Sequence, residues 1–389
     1  MSEGQSRKKK LGKYLMVTLL AYLMMGFFAL ITVQVKPLDP LSSAVKNFSF
    51  TDIYYEILNE SSHKDTSNVV TLVDMTALYR RGDLAKVMDD IMSCKPKVMG
   101  VDVVFDQEKD DFAGNDSLIT VAAQYENIVF GNKLLDDSGD QKVGFTKEIH
   151  SFFGNYVTIK EGFTNMPRGG HYDSMKRVLP LRYRSCGKDK PSLIAHAVSV
   201  YTGKDMWSEG KADLDINFSP MEFRVLQPDE VLSHPEWIEG HIVLLGAMYE
   251  EADSHWTPAG KIAGVKLLAF AAQTLVDKKE VYHLPFILQL AVSILLTLFI
   301  YYIQKLFKYR TARSRKLFVR FIVGSSYVLN ILTFLFTSIL LGICFFIFAF
   351  TQVSVNIGWA LASLAFMAAS SNMYEAISDY VTARIRKRA

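Results

Sequence analysis

Short apolar runs alternate with amphipathic stretches through the middle of the chain, and long uncharged apolar runs fill both ends. The clearest alternation lies between Val69 and Asp106. There VVTLVDM is followed by the helical pattern GDLAKVMDDIMSC and then by KPKVMGVDVVFD. Two β-branched runs, Val69–Val73 and Val98–Val104, joined by one amphipathic helix predict a βαβ unit. Their almost unbroken apolar character is that of parallel strands covered on both faces. Leu41–Glu60 predicts a leading amphipathic helix, Asp116–Tyr125 another, and Asn127–Asn132 a third strand. From Gly139 to Asn165 glycines and aromatic residues give no period, and no element is assigned. Val178–Arg184 predicts a strand, Ser192–Tyr201 a helix, and Asp215–Phe218 and Phe223–Leu226 short strands. The run His241–Ala247 predicts a strand returning to the centre of the sheet, followed by a helix over Gly264–Val276. This rhythm predicts an α/β domain with a largely parallel wound sheet.

The apolar ends are long enough to cross a bilayer. Tyr14–Val35 follows a basic arm containing Arg7, Lys8, Lys9, Lys10 and Lys13. It reads as an uncleaved anchor, because it exceeds the usual apolar length of a leader and no A-x-A-like site precedes Lys36. Leu284–Ile303, Phe321–Phe350 and Val353–Ser370 follow the soluble part, the second of them long enough to require tilt or a start near Ser325. Four transmembrane helices put the basic arm, the basic loop Lys305–Arg320 and the basic tail Arg384–Arg388 on one side, as the positive-inside rule asks. The predicted layout is a basic arm and first span over 1–35, an extracytoplasmic domain over 36–283, three spans over 284–372 and a cytoplasmic tail over 373–389.

A net charge of +3 argues by itself neither for nor against nucleic acid, and no nucleic acid is expected as a partner. The spans carry no internal acid or base, which disfavours transport. No G-x-S-x-G, Walker, H-E-x-x-H or C-x-x-C motif occurs. Cys94 and Cys186 could pair in an oxidising compartment, though spacing alone does not fix their separation.

Candidate chemistry gathers where ligands sit in open parallel sheets, at the carboxyl edge. Asp74 ends the first strand, Asp102 and Asp106 lie within and after the second, and Asp253 follows the last. Such oxygens suit a divalent cation such as calcium or magnesium, or they cap helices and hold loops. No other cofactor is expected. His255, two residues past Asp253, is either a proton sensor or a loop-packing residue. Asp173 with Arg177 and Arg182 suggests an ion-paired hairpin or the lip of an anion site.

The ordered series VVTLVDM, VMGVDVVFD, HYDSMKRVLPL, SLIAHAV, INF and HIVLLGAMYEEADSHWTP followed by GVKLLAFAAQTL resembles the type-two CHASE family. These are the cyclase- and histidine-kinase-associated sensory extracellular domains, and the order of one span, domain and three spans is also similar. Ser174 stands where the family's glycine usually follows the aspartate. The resemblance implies a sensory or ligand-binding protein in a bacterial inner membrane, with a periplasmic domain and both termini cytoplasmic. Fewer than about twenty residues follow Ser370, below the size of a catalytic domain, so the output is expected from a separate signalling or envelope protein. Catalysis is not expected. A metal-dependent extracytoplasmic enzyme, a ligand-free structural envelope protein and self-association stay open as alternatives.

Overall fold

The computed structural model describes residues 3–34, 49–61, 63–136, 145–166, 175–313, 316, 326–355 and 358–386. They form two compact units, one of Ile53–Val281 and one of the two chain ends, 1–52 and 282–389. Within the chain-end unit a long helix, α1 (Glu3–Gln34), comes first, and α2 (Phe50–Ser61) leads into the central unit.

The central unit is built on β1 (Asp65–Asp74), whose last five residues are all buried. Helix α3 (Arg81–Ser93) follows, burying Leu84, Met88 and Ile91 at helical spacing. Strand β2 (Val98–Val101) is buried throughout and shorter than its apolar run. Its ladder ends where the Asp102 N–H donates to the Leu245 carbonyl at 2.9 Å, and the chain then lifts away from the sheet. Next come α4 (Phe112–Gln124), capped by the Asp111 carboxylate on the Gly114 N–H, and β3 (Ile128–Leu135). The unassigned stretch contributes two short strands, β4 (Lys147–Ile149) and β5 (Lys160–Phe163).

The expected single strand over Val178–Arg184 is two, β6 (Val178–Pro180) and β7 (Arg182–Ser185), the latter in a hairpin with β8 (Lys188–Pro191). Pro180 lacks the N–H that would continue one ladder. Helix α5 (Leu193–Thr202) starts at Ser192, whose hydroxyl accepts from the Ala195 N–H. Strand β9 (Asp213–Asp215) ends earlier than expected, because Asn217 forms a turn with Ser219 instead of continuing it. Strands β10 (Met221–Leu226) and β11 (Ile242–Gly246), the hairpin β12 (Ser254–Thr257) and β13 (Gly260–Ala263), and α6 (Gly264–Asp277) complete the unit.

The sheet order is β10-β1-β11-β2-β3, with β4 and β5 sharing the far edge of β3. Only β4 runs antiparallel, and β11 returns to the centre as its apolar run predicts. Helices α3 and α4 cover one face through Val73, Val101, Phe130, Val243 and Leu245. Helices α5 and α6 cover the other, α5 closely enough that a Cβ on Gly100 would stand in van der Waals contact with Ala197 and Leu193. Burying a Val, Leu or Phe side chain completely contributes about 1.5–3 kcal/mol, so this double-faced burial is the main source of stability. All three cysteines are free; Cys94 Sγ faces the Val231 carbonyl and Cys186 Sγ the Thr146 carbonyl.

In the chain-end unit, β14 (Tyr282–His283) precedes α7 (Phe286–Ala312), and α8 (Ser326–Thr351), β15 (Val353–Ser354) and α9 (Gly358–Arg386) follow. Among the described residues, three stretches are long and apolar enough to cross a membrane: Leu11–Phe28, Phe286–Arg310 and Phe334–Thr351. Helix α8 is described from Ser326 on, so the expected start near Ser325 lies at the edge of the described residues. Helix α9 packs against α1 and α7 with Ala360, Ser363, Met367 and Ser370 buried. Thr297 Oγ1 links Ser363 Oγ at 2.9 Å with Tyr22 OH at 3.1 Å, and Lys13 pairs with Glu375 at 3.0 Å.

Candidate ligand-binding site

Two neighbouring strands at the middle of the sheet send the chain to opposite faces. After β2 it passes to α4 on one side, and after β11 to α6 on the other. Such a divergence opens a crevice beyond the carboxyl ends of the strands. A cavity of about 670 Å³ lies there. Met75 lines it from β1, Asp102 and Val103 from β2, and Ala247, Glu250 and Asp253 from the loop after β11. Lys133 on β3 and Thr164, Asn165 and Met166 after β5 complete the wall.

Asp102 is the first residue beyond β2. It is half-buried, on the wall of the cavity. Burial pushes its pKa up to about 7; the charge on Asp253 adds to the shift, and His255 opposes it. No hydrogen bond from another described residue reaches this carboxyl.

Asp253 reaches the same place from a helical turn that ends in β12. Its carboxylate sits against Gly264, the first residue of α6, where a Cβ would fall 2.5 Å from Oδ2. Ala263 before it offers no side-chain cap, so an anion at this helix end is favoured by the N–H groups left unpaired there. Glycine is thus required to seat the carboxylate. His255 Nε2 lies 3.6 Å from Asp253 Oδ1 and is buried without a hydrogen-bond partner among the described residues. Thr257 holds the turn of its hairpin by donating to the Gly260 carbonyl at 2.8 Å.

The four aspartates of the sheet edge therefore separate. Asp102, Asp253 and His255 come together. Asp74 Oδ1 is occupied by the Thr76 backbone, the Thr76 hydroxyl and the Met248 N–H, a clamp between the loops after β1 and β11. Asp106 is exposed and lines a smaller hollow of about 220 Å³ with Arg80, Arg81 and Lys109. Arg81 is held there by Asn115 Oδ1 and the Gln107 carbonyl, with its guanidinium 4.8 Å above the Phe152 ring. Arg177 lies in the segment beside β12: its carbonyl accepts from Ile216, and neighbouring Lys176 donates to the Trp256 carbonyl at 2.7 Å. Arg182 points elsewhere, to the Ser208 and Gly210 carbonyls. Asp173 lies outside the described residues. Among those described, no three His, Cys, Asp or Glu side chains are grouped to hold a metal ion.

Lys133, Thr164 and Glu250 were not apparent as site residues. Thr164 falls in the stretch without periodicity, and only the strand order brings it to the cavity that Asp102 also lines.

A family model for the CHASE2 domain matches residues 38–303. No curated protein and no solved structure matches the chain.

Proposed function

Because the chain belongs to the CHASE2 family of extracellular sensory domains, we propose that it is a membrane-anchored sensor that binds a small molecule in the cavity at the sheet edge. The observation that carries this reading is the coincidence of that cavity with the divergence of β2 and β11. Pockets of several hundred Å³ with a few convergent polar groups are the usual form of a small-molecule site. Apolar helices at both ends of the chain support an anchored protein. In the full reading, α9 is a fourth span, the protein sits in a bacterial inner membrane with its domain in the periplasm, and both termini are cytoplasmic. The signal leaves through a separate partner that reads the membrane helices.

The test is ligand stabilisation of the full chain in lipid nanodiscs. A panel of small amines, carboxylates, sugars and phosphates is screened by thermal unfolding, with Thr164→Trp as a variant whose cavity is filled. Binding to the folded state alone raises stability by RT ln(1 + [L]/Kd). The proposal expects at least one compound to raise the melting temperature of the wild type and not of Thr164→Trp. No response, or an equal response of both proteins, overturns it.

A further inference from the structure

The walls of the cavity differ in charge. Asp102, Glu250 and Asp253 line one side, and Lys133 is its single basic residue. Asp253 already has His255 and a helix end to face, whereas the carboxyl of Asp102, half-buried on the cavity wall, receives no hydrogen bond from any described residue. Ionising a partly desolvated carboxyl with no donor beside it is costly, and a cationic donor that reaches it offsets that cost. Two explanations compete for what fills it. A hard cation such as calcium needs six to eight oxygens, and no three His, Cys, Asp or Glu side chains among the described residues are grouped to hold one. A protonated amine needs only two or three acceptors around one nitrogen, which matches what the cavity offers.

We propose, building on the cavity as the sensory site, that its ligand carries a primary ammonium group seated between Asp102 and Asp253. Asp102 accepts one N–H from below and Asp253 a second from the α6 side. Thr164 and Lys133, across the cavity, face the remainder of the ligand. Charge-assisted bonds of this type are about twice as strong as neutral ones. Seating the ammonium requires the ionised form of Asp102, so binding releases a proton wherever that carboxyl is still protonated. Its neighbours in this titration are Asp253, His255, Glu250 and Lys133. With a midpoint of about 7, affinity rises by about tenfold between pH 6 and pH 8.

The experiment is calorimetric titration of the full chain in nanodiscs with ethanolamine and 1,4-diaminobutane. N-acetylethanolamine, acetate and calcium chloride are the comparisons, and wild type, Asp102→Asn and Thr164→Trp are the proteins. The expected result is binding of an amine that its acetylated form lacks, weakened at least about tenfold in Asp102→Asn, stronger at the higher pH and absent from Thr164→Trp. Binding of acetate, the acetylated compound or calcium, lost in Thr164→Trp, overturns the ammonium and leaves the cavity as the site. Amine binding that Asp102→Asn retains also overturns it. If no compound binds, the ammonium is overturned and the cavity is left to the sugars and phosphates of the wider panel; if Thr164→Trp binds as the wild type does, both readings fall.

Discussion

Asp102 and Asp253 carry the same group into different surroundings, and the difference has a measurable consequence. The Asp102 carboxyl holds its proton up to about pH 7 in the folded protein, against an ordinary value of 3.8. The folded state therefore binds more protons than the unfolded chain between these values. Its stability is greatest below the lower one and declines as pH rises through the upper. At about pH 8 the ionised group costs on the order of 2–4 kcal/mol. Asp102→Asn removes that cost, so it should melt higher than the wild type at about pH 8 and no higher at about pH 4. Equal melting of the two proteins at the higher pH would mean that the carboxyl is well solvated. Asp74 behaves as a structural residue instead. Its Oδ1 ties the loops after β1 and β11, which is the capping role that its position at a strand end also permits.

Among the elements, the sheet was the most legible part. Unbroken apolar runs such as IVLLG can be covered only on both faces, so β1, β2 and β11 are readable from composition alone. Their ends are not, because Asp102 stops pairing where the cavity begins, and a cavity has no local signature. Pro180 was in plain view, yet the division at β6 and β7 depends on β9 and β8 as partners distant in sequence. The packing of α5 on β5 offers a sharper test. A Cβ on Gly162 would lie 2.6 Å from the Leu193 nitrogen and 2.7 Å from its Cα, and backbone cannot yield as a side chain does. Gly162→Ala should therefore lose about 2–4 kcal/mol in denaturant unfolding, whereas Gly154→Ala, which meets only the Ile159 side chain, should lose far less. In the chain-end unit the small residues of α9 divide between two faces. Ser363 and Ser370 are buried against α1 and α7, while Ala365, Ala368 and Ala369 are exposed. Ser363→Leu is accordingly expected to destabilise the helices. Ala369→Leu should leave them folded and weaken co-purification of a partner, and unchanged partner recovery would remove this face as a relay surface.

At the scale of the whole molecule, the order of apolar helix, α/β domain and apolar helices makes orientation the decisive property. The basic arm, the loop around Lys305–Arg320 and the basic C-terminal residues require the same side if α9 crosses the membrane. Reporter fusions after Lys36 and at His283 should then read outside, and fusions at Arg313 and Arg388 inside. An outside signal at Arg388 would leave three spans, in agreement with the three stretches that meet the length and apolarity of a membrane helix. Family membership was legible as an ordered series of short motifs across the domain, while the candidate site required strands far apart in sequence to be brought edge to edge. The most direct measurement is infrared titration of the full chain in nanodiscs. The cavity predicts a protonated-carboxyl band that disappears with a midpoint of about 7, is absent from Asp102→Asn, and shifts to lower pH when ethanolamine is saturating. A band that has already vanished at the ordinary carboxylate value of 3.8, or one that persists in Asp102→Asn, would contradict a desolvated acid on the wall of the proposed sensory site.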